Sequence, residues 1–219
     1  MIVFKKSEKF TALVALYCVA LVVSNIIAGK LWDAPFGLHV TAGVILFPII
    51  YIIGDIMPEV YGLQVTRRII WLGFIINILM VLVFVATLAL EAPGFWKGQE
   101  AFVTVLGFTP RLVAASLIAY LFGTNANAWV MVAMKALTNG KWLWTRTIAS
   151  TIVGETIDSA LFILVAFYGV LDFEILPWLI ASQVIFKTVY EALATPLTYA
   201  AIAWMQHDYV LGKPAATEQ

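Results

Sequence analysis

The sequence predicts an all-α integral membrane protein, a single bundle of six transmembrane helices filling residues 1–219. Three observations carry that prediction. The chain is 63% hydrophobic and only 12% charged, about half the charged fraction of a soluble domain. Its mean hydropathy is +0.96. It also contains six apolar runs of about the length needed to cross a hydrocarbon core, roughly 20 residues.

The runs fall at about 10–29, 40–61, 69–91, 111–134, 147–170 and 177–205. The first follows Lys5, Lys6 and Lys9 and is too long for a signal-peptide core, so it reads as a retained helix. The second contains "GDIMPEVYG", where Gly54 and Pro58 predict a bend or break. Between the third and fourth, "PGFWKGQEAFVTVLGFTP" leaves room for a short interfacial helix bounded by Pro93-Gly94 and Pro110. The remaining connections are short and leave no space for a soluble domain.

Orientation follows from the basic residues. Lys5, Lys6, Lys9, Arg67, Arg68, Lys135, Lys141, Arg146 and Lys213 fall on one side, against Lys30, Lys97 and Arg111 on the other. That bias places both termini in the cytoplasm and the protein in the cytoplasmic (inner) membrane. Trp71, Trp142, Trp144 and Trp178 near span ends fit an aromatic belt. The thirteenth basic residue, Lys187, sits inside the sixth run.

Ionisable groups inside a membrane usually mark a site or a pathway. In "STIVGETIDSALFILVAFYG" the acids Glu155 and Asp158 interrupt the fifth span. Each acid costs about 2.5–3.5 kcal/mol at a helix centre, and each large aliphatic or Phe returns about 0.3–0.6. The span therefore inserts only with neighbours that host its acids. Ser150, Gly154 and Asp158 continue a four-residue ladder from Arg146. Gln183, Lys187 and Glu191 repeat that spacing on the sixth span, and Asp55 and Glu59 share a face of the second. Asn25, Asn77, Asn125 and Asn127 add amides on the first, third and fourth. Interhelical hydrogen bonding alone could account for the lone amides and Ser150. Three acids near one lysine leave surplus acceptors, and these ask for another partner. Asp55 and Glu59 have a blander account, neutralisation by Arg67 or Arg68.

Other function classes find little support. Zero net charge argues against a nucleic-acid partner. No P-loop motif occurs, and neither histidine falls inside a span, so no Ser-His pair can form within the bundle. No spacing suggests a metal site. The single Cys18 permits no intrachain disulfide. An intramembrane acid dyad leaves an enzyme conceivable as a minor alternative. "GD" at 54–55 and "GE" at 154–155, each in the second helix of a half, hint at a 3+3 inverted repeat.

Five blocks occur in order: "SNIIAGKLW", "FPIIYIIGDIMPEVYG" followed by Arg67-Arg68, "RLVAASLIAYLFG", "RTIASTIVGETIDSALF" and "FKTVYEALATPLTY". Together they resemble the VUT family, the queuosine precursor transporters formerly described as vitamin uptake transporters, over nearly the whole chain. The resemblance implies import of 7-deazaguanine bases bearing a cyano or aminomethyl group, or of queuine, by a secondary or facilitative route. Asn25, Asp55, Glu59, Arg67, Arg68, Arg111, Ser150, Glu155, Asp158, Lys187 and Glu191 fall in its blocks. Where the family stretch carries a Gln before the Asn, this chain has Thr124, which leaves the choice among precursors open.

Such a base presents an N1–H and an exocyclic amine side by side, and one carboxylate can accept both. Glu155 and Asp158 are the candidates for that role. Asn25, Asn127, Gln183 or Lys187 would donate to O6, with Glu191, Asp55 and Ser150 completing the candidate substrate site. The implied partners are a small deazapurine base and the lipid bilayer, with a homodimer as candidate assembly and no cofactor or metal. The rival within transport is the substrate-binding subunit of an energy-coupling-factor vitamin importer.

Overall fold

The computed structural model describes residues 6–138 and 143–211. Lys5, Lys141 and Lys213 from the orientation count, and Trp142 from the aromatic belt, lie outside the described residues. Helix α1 (Lys6–Ile27) leads into an antiparallel hairpin of β1 (Leu31–Ala34) and β2 (Leu38–Thr41), in which Leu31 pairs with Thr41 and Ala34 with Leu38. The turn Pro35–Gly37 holds Phe36 at φ 65° and Gly37 at φ 73°. A 3-10 turn over Ala42–Leu46 then delivers the chain to α2 (Phe47–Tyr61).

The apolar run 40–61 contains the stretch Ala42–Tyr61, long and apolar enough to cross a membrane, but it opens with the end of β2 and a 3-10 turn before α2 begins. Its first residues pair with β1 or press against α1. A Cβ added at Gly43 would meet Ser24 Oγ at 3.0 Å and Ala28 Cβ at 3.2 Å. Ser24 donates to the Gly43 carbonyl at 3.2 Å, so this backbone is held against α1. Pro58 does not break the helix. Helix α2 continues through it to Tyr61 and ends at Gly62, whose φ is 84°. Pro58 supplies no N–H to the Gly54 carbonyl one turn back, and a Cβ at Gly54 would meet nothing within 4 Å.

Helices α3 (Leu63–Leu88), α4 (Gln99–Leu106), α5 (Thr109–Leu137), α6 (Leu143–Phe167) and α7 (Leu176–Leu211) follow. Helix α4 is the short helix expected between the third and fourth runs. Five stretches, Glu8–Ile27, Ala42–Tyr61, Leu63–Leu88, Gln99–Met134 and Ala149–Phe167, are long and apolar enough to cross a membrane. Helix α7 has 36 residues, which is ample length, but its middle is polar. This is an all-α, multi-pass membrane fold to which the hairpin is a small addition.

Apolar packing is divided among three clusters around a polar centre. Ala28, Leu112, Ala115, Ile163, Phe167, Leu176 and Leu179 join α1, α5, α6 and α7 at one end. Tyr17, Cys18, Ile53, Met57 and Ile69 join α1, α2 and α3. Ala34, Val40 and Val44 seat the hairpin against Phe47 and Phe186. Arg111 caps the end of α6, donating from Nε to the Val165 carbonyl at 2.7 Å and from Nη2 to the Tyr168 carbonyl at 2.5 Å.

The tightest helix pairing is α5 on α6, and glycine permits it. A Cβ at Gly123 would lie 2.9 Å from Asp158 Cβ, and one at Gly154 would lie 2.9 Å from Asn127 Cβ. Gly154→Val should therefore force the helices apart and destabilise the fold by about 1–3 kcal/mol. Gly54→Ala, at an open position, should leave thermal unfolding of the purified protein unchanged. Equal melting temperatures for Gly154→Val and the native chain would refute this packing account.

Candidate functional site

A cavity of about 630 Å³ lies between the clusters, walled by α1, α2, α3, α5, α6, α7 and the segment from Thr41 to Gly43. Its size falls within the range of small-molecule pockets, about 300–1,000 Å³. Eight of the nine candidate residues line it: Asn25, Asp55, Asn127, Glu155, Asp158, Gln183, Lys187 and Glu191. Ser150 does not. It is buried one turn before Gly154, and Thr151 takes the lining position instead. Glu59 shares a helical face with Asp55 but is exposed and outside the lining.

Lys187 organises the site. Only 4% exposed, it places Nζ 2.5 Å from Asp158 Oδ2 and 3.3 Å from Glu155 Oε2. The same nitrogen lies 4.9 Å from the centre of the Phe47 ring, within cation–π reach. Tyr51 donates its hydroxyl to Glu155 Oε1 at 3.2 Å. Glu155 Oε2 is buried and makes no hydrogen bond among the described residues, although the lysine charge is near. Among the described residues, Lys187 is the one basic residue in the lining, against the four acids Asp55, Glu155, Asp158 and Glu191. Glu191 lies within electrostatic reach of both Asp55 and Glu155.

The amides divide by what already occupies them. Gln183 accepts from the Thr41 backbone N–H at 3.3 Å and donates to the Thr41 hydroxyl at 3.4 Å, so it tethers the hairpin to α7. Asn25 donates to Asn77 Oδ1 at 2.9 Å. Of the four donors expected for a ligand oxygen, Lys187 and Asn127 are the ones not committed to a neighbouring amide or hydroxyl. Asn125 is exposed and donates to the Leu121 carbonyl of its own helix.

Several lining residues escaped sequence reasoning. Tyr51 and Phe47 are four residues apart and continue the face of Asp55 back along α2, a signal the helical period contained. Phe74 and Tyr120, with ring centres 5.3 Å apart, supply an aromatic wall from α3 and α5. Nothing local distinguished them from lipid-facing aromatics. The hydroxyl of Tyr51, four acids and one ammonium make a site rich in acceptors, bounded by flat apolar rings.

The family model described as "Putative vitamin uptake transporter" matches residues 41–201. A Bacillus subtilis (strain 168) protein named "Probable queuosine precursor transporter" is 29% identical over 174 residues, covering 79% of this chain and 76% of its own. An Escherichia coli (strain K12) protein named "Queuosine precursor transporter" is 28% identical over 168 residues, covering 76% of this chain and 73% of its own. No solved structure matches the chain.

The ion cluster gives a stability test. Removing one partner of a buried pair costs about 3–5 kcal/mol, because the other charge stays buried. Lys187→Met should lower the unfolding temperature sharply, and adding Asp158→Asn should recover part of the loss. Lys187→Arg should not replace the native residue, since a guanidinium needs a wider, forked set of acceptors. Native-like unfolding of Lys187→Met would remove the lysine from the centre of the fold.

Proposed function

The chain belongs to the VUT family, and from that membership we infer that it imports queuosine precursors across a membrane. The names of the relatives favour neither an energy-coupling-factor binding subunit nor an intramembrane enzyme. The substrate in this reading is a 7-deazaguanine base held in the cavity. The observation that carries the binding mode is Glu155 Oε2, buried without a hydrogen bond and with only the Lys187 ammonium near it at 3.3 Å, while its twin oxygen takes the Tyr51 hydroxyl. A base that presents N1–H and an exocyclic amine supplies a donor to this oxygen and a second to the Asp158 carboxylate, which already holds Lys187. Lys187 or Asn127 then donates to O6, and the Phe and Tyr rings of the lining cover the faces of the base.

Helices α1, α2, α3, α5, α6 and α7 act as six spans of one transport domain, with both termini in the cytoplasm. The hairpin and the α6–α7 connection face outward in this arrangement. A repeat of three plus three helices would place Asp55 and Glu155 at related positions, and both line the cavity. Supply of the base to a cytoplasmic transfer-RNA modifying enzyme would complete the route.

Uptake in cells unable to make the precursor, read as queuosine in transfer RNA, tests the carboxylates. Each charge-assisted bond lost in a dry pocket costs about 1.5–3 kcal/mol, hence about tenfold or more in affinity. Asp158→Asn should fail nearly as badly as Asp158→Ala, because Lys187 loses the charge of its closest partner, at 2.5 Å. Glu155→Gln should be milder, since one acceptor oxygen remains. Native uptake by both amides would make these acids structural. Orientation has its own test: cysteine at position 173 should react with a membrane-impermeant reagent from outside, and cysteine at position 64 should not. The reverse pattern would invert the topology.

A further inference from the structure

The polarity of one hydrogen-bonded chain behind the cavity wall follows from chemistry alone. Asn77 on α3 is 1% exposed, and one end of its amide lies 2.9 Å from the Gly73 carbonyl oxygen. A carbonyl only accepts, so that end is Nδ2. The other end is then Oδ1, and it lies 2.9 Å from the Asn25 amide. Oδ1 also only accepts, so Asn25 turns its own Nδ2 toward α3. Asn25 lines the cavity at 7% exposure, and its Oδ1 is without a hydrogen bond among the described residues, beside one further N–H on Nδ2. The bond to Asn77 fixes Oδ1 as an acceptor, while the second N–H of Nδ2 remains available as a donor.

We propose that Asn25 Oδ1, held in orientation by Asn77, accepts the N9–H of the bound base and so selects free 7-deazaguanine bases over their nucleosides. This rests on the binding mode above, in which the α6 carboxylates take N1–H and the exocyclic amine. The ring donor that remains is N9–H. In guanine this proton exchanges between N7 and N9. In a 7-deaza base position 7 is carbon, so N9 keeps it. An amide oxygen that cannot turn to offer its NH2 matches such a donor and leaves a buried acceptor unpaired against any ligand lacking it. A nucleoside carries ribose at N9, which removes the donor and brings a sugar against the α1 wall. Asn25 enters from α1 and Glu155 from α6, two different walls, as opposite edges of one flat ring require.

The experiment compares binding of 7-cyano-7-deazaguanine with that of its isostere carrying a ring oxygen in place of N9–H. The protein is purified full-length and reconstituted in nanodiscs. The native protein should bind the oxygen isostere about tenfold more weakly. Asn25→Leu should bind both ligands with the same reduced affinity. Asn77→Leu, which leaves Asn25 in place but free to turn, should narrow the ratio severalfold. A merely structural role would lower both affinities and leave their ratio intact. Equal binding of the two ligands by the native protein overturns the proposal, as does a ratio preserved in folded Asn25→Leu. The native comparison decides the matter even if the leucine variants fail to fold. If 7-cyano-7-deazaguanine does not bind the native protein, the transport reading falls with it. If both ligands bind alike, only the assignment of Asn25 falls.

Discussion

A buried ammonium is the constraint around which the bundle is arranged. Taking a lysine head group out of water costs several kcal/mol even after relaxation, and only close, well-placed acceptors offset it. Lys187 obtains them from α6, with Asp158 at 2.5 Å and Glu155 at 3.3 Å. Helix α2 completes the shell by placing the Phe47 ring beneath the charge and the Tyr51 hydroxyl on Glu155. Three helices thus converge on one nitrogen. Without it, two acids on α6 would face a cavity already carrying Asp55 and Glu191. With it, the acids are held apart and oriented, and one oxygen is still left free of hydrogen bonds.

That convergence needs backbones at the right separation. Gly123 and Gly154 let α5 and α6 approach until a methyl group would clash, which brings Asp158 against Gly123 of α5. On α7, successive turns of one face have separate tasks. Gln183 grips the hairpin, Lys187 grips α6, and Glu191 remains open to the cavity. Arg111 stiffens the far end by capping the carbonyls where α6 stops. The polar groups of this bundle act as interhelical glue and as a cavity lining at once, because the same helical face must do both.

Much of this was legible in the chain. Low charge and long apolar runs announced the fold class, and the four-residue ladders brought Gln183, Lys187 and Glu191 to one wall. Helix α4 followed from its proline and glycine brackets. The hairpin was not legible, since Val40, Ala42 and Val44 extend the apolar count of the second run without interruption. Whether such residues coil or pair depends on Ser24 and Ala28, far away in sequence. Ser150 shows the opposite error. It obeys the ladder that led to Asp158, yet it is buried outside the lining while Thr151, one residue on, takes the cavity position. Periodicity assigns a face only approximately.

The donor or acceptor character of an amide is the hardest property to read from sequence, because Asn offers both and its neighbours choose. Asn25 and Gln183 look alike as polar residues on apolar helices. The structure commits Gln183 to Thr41 through both ends and Asn25 to Asn77 through one. Once these bonds are subtracted, the uncommitted groups at the cavity are weighted toward acceptors: the open carboxylate oxygens and Asn25 Oδ1. The donors are Lys187, already shared with two acids, the Asn127 amide, the second N–H of Asn25, and hydroxyls that can also accept, such as those of Ser116, Thr124 and Thr151. A ligand complementary to that set must bring several N–H groups and few acceptors. Guanine-type rings do so on both long edges, with N1–H and the amine on one and N9–H on the other. Adenine-type rings present an acceptor at N1 and would set lone pair against lone pair at the carboxylates. Selection between purine types then follows from the sign of each cavity group more than from cavity volume, since an unmatched buried acceptor costs more than a loosely filled space.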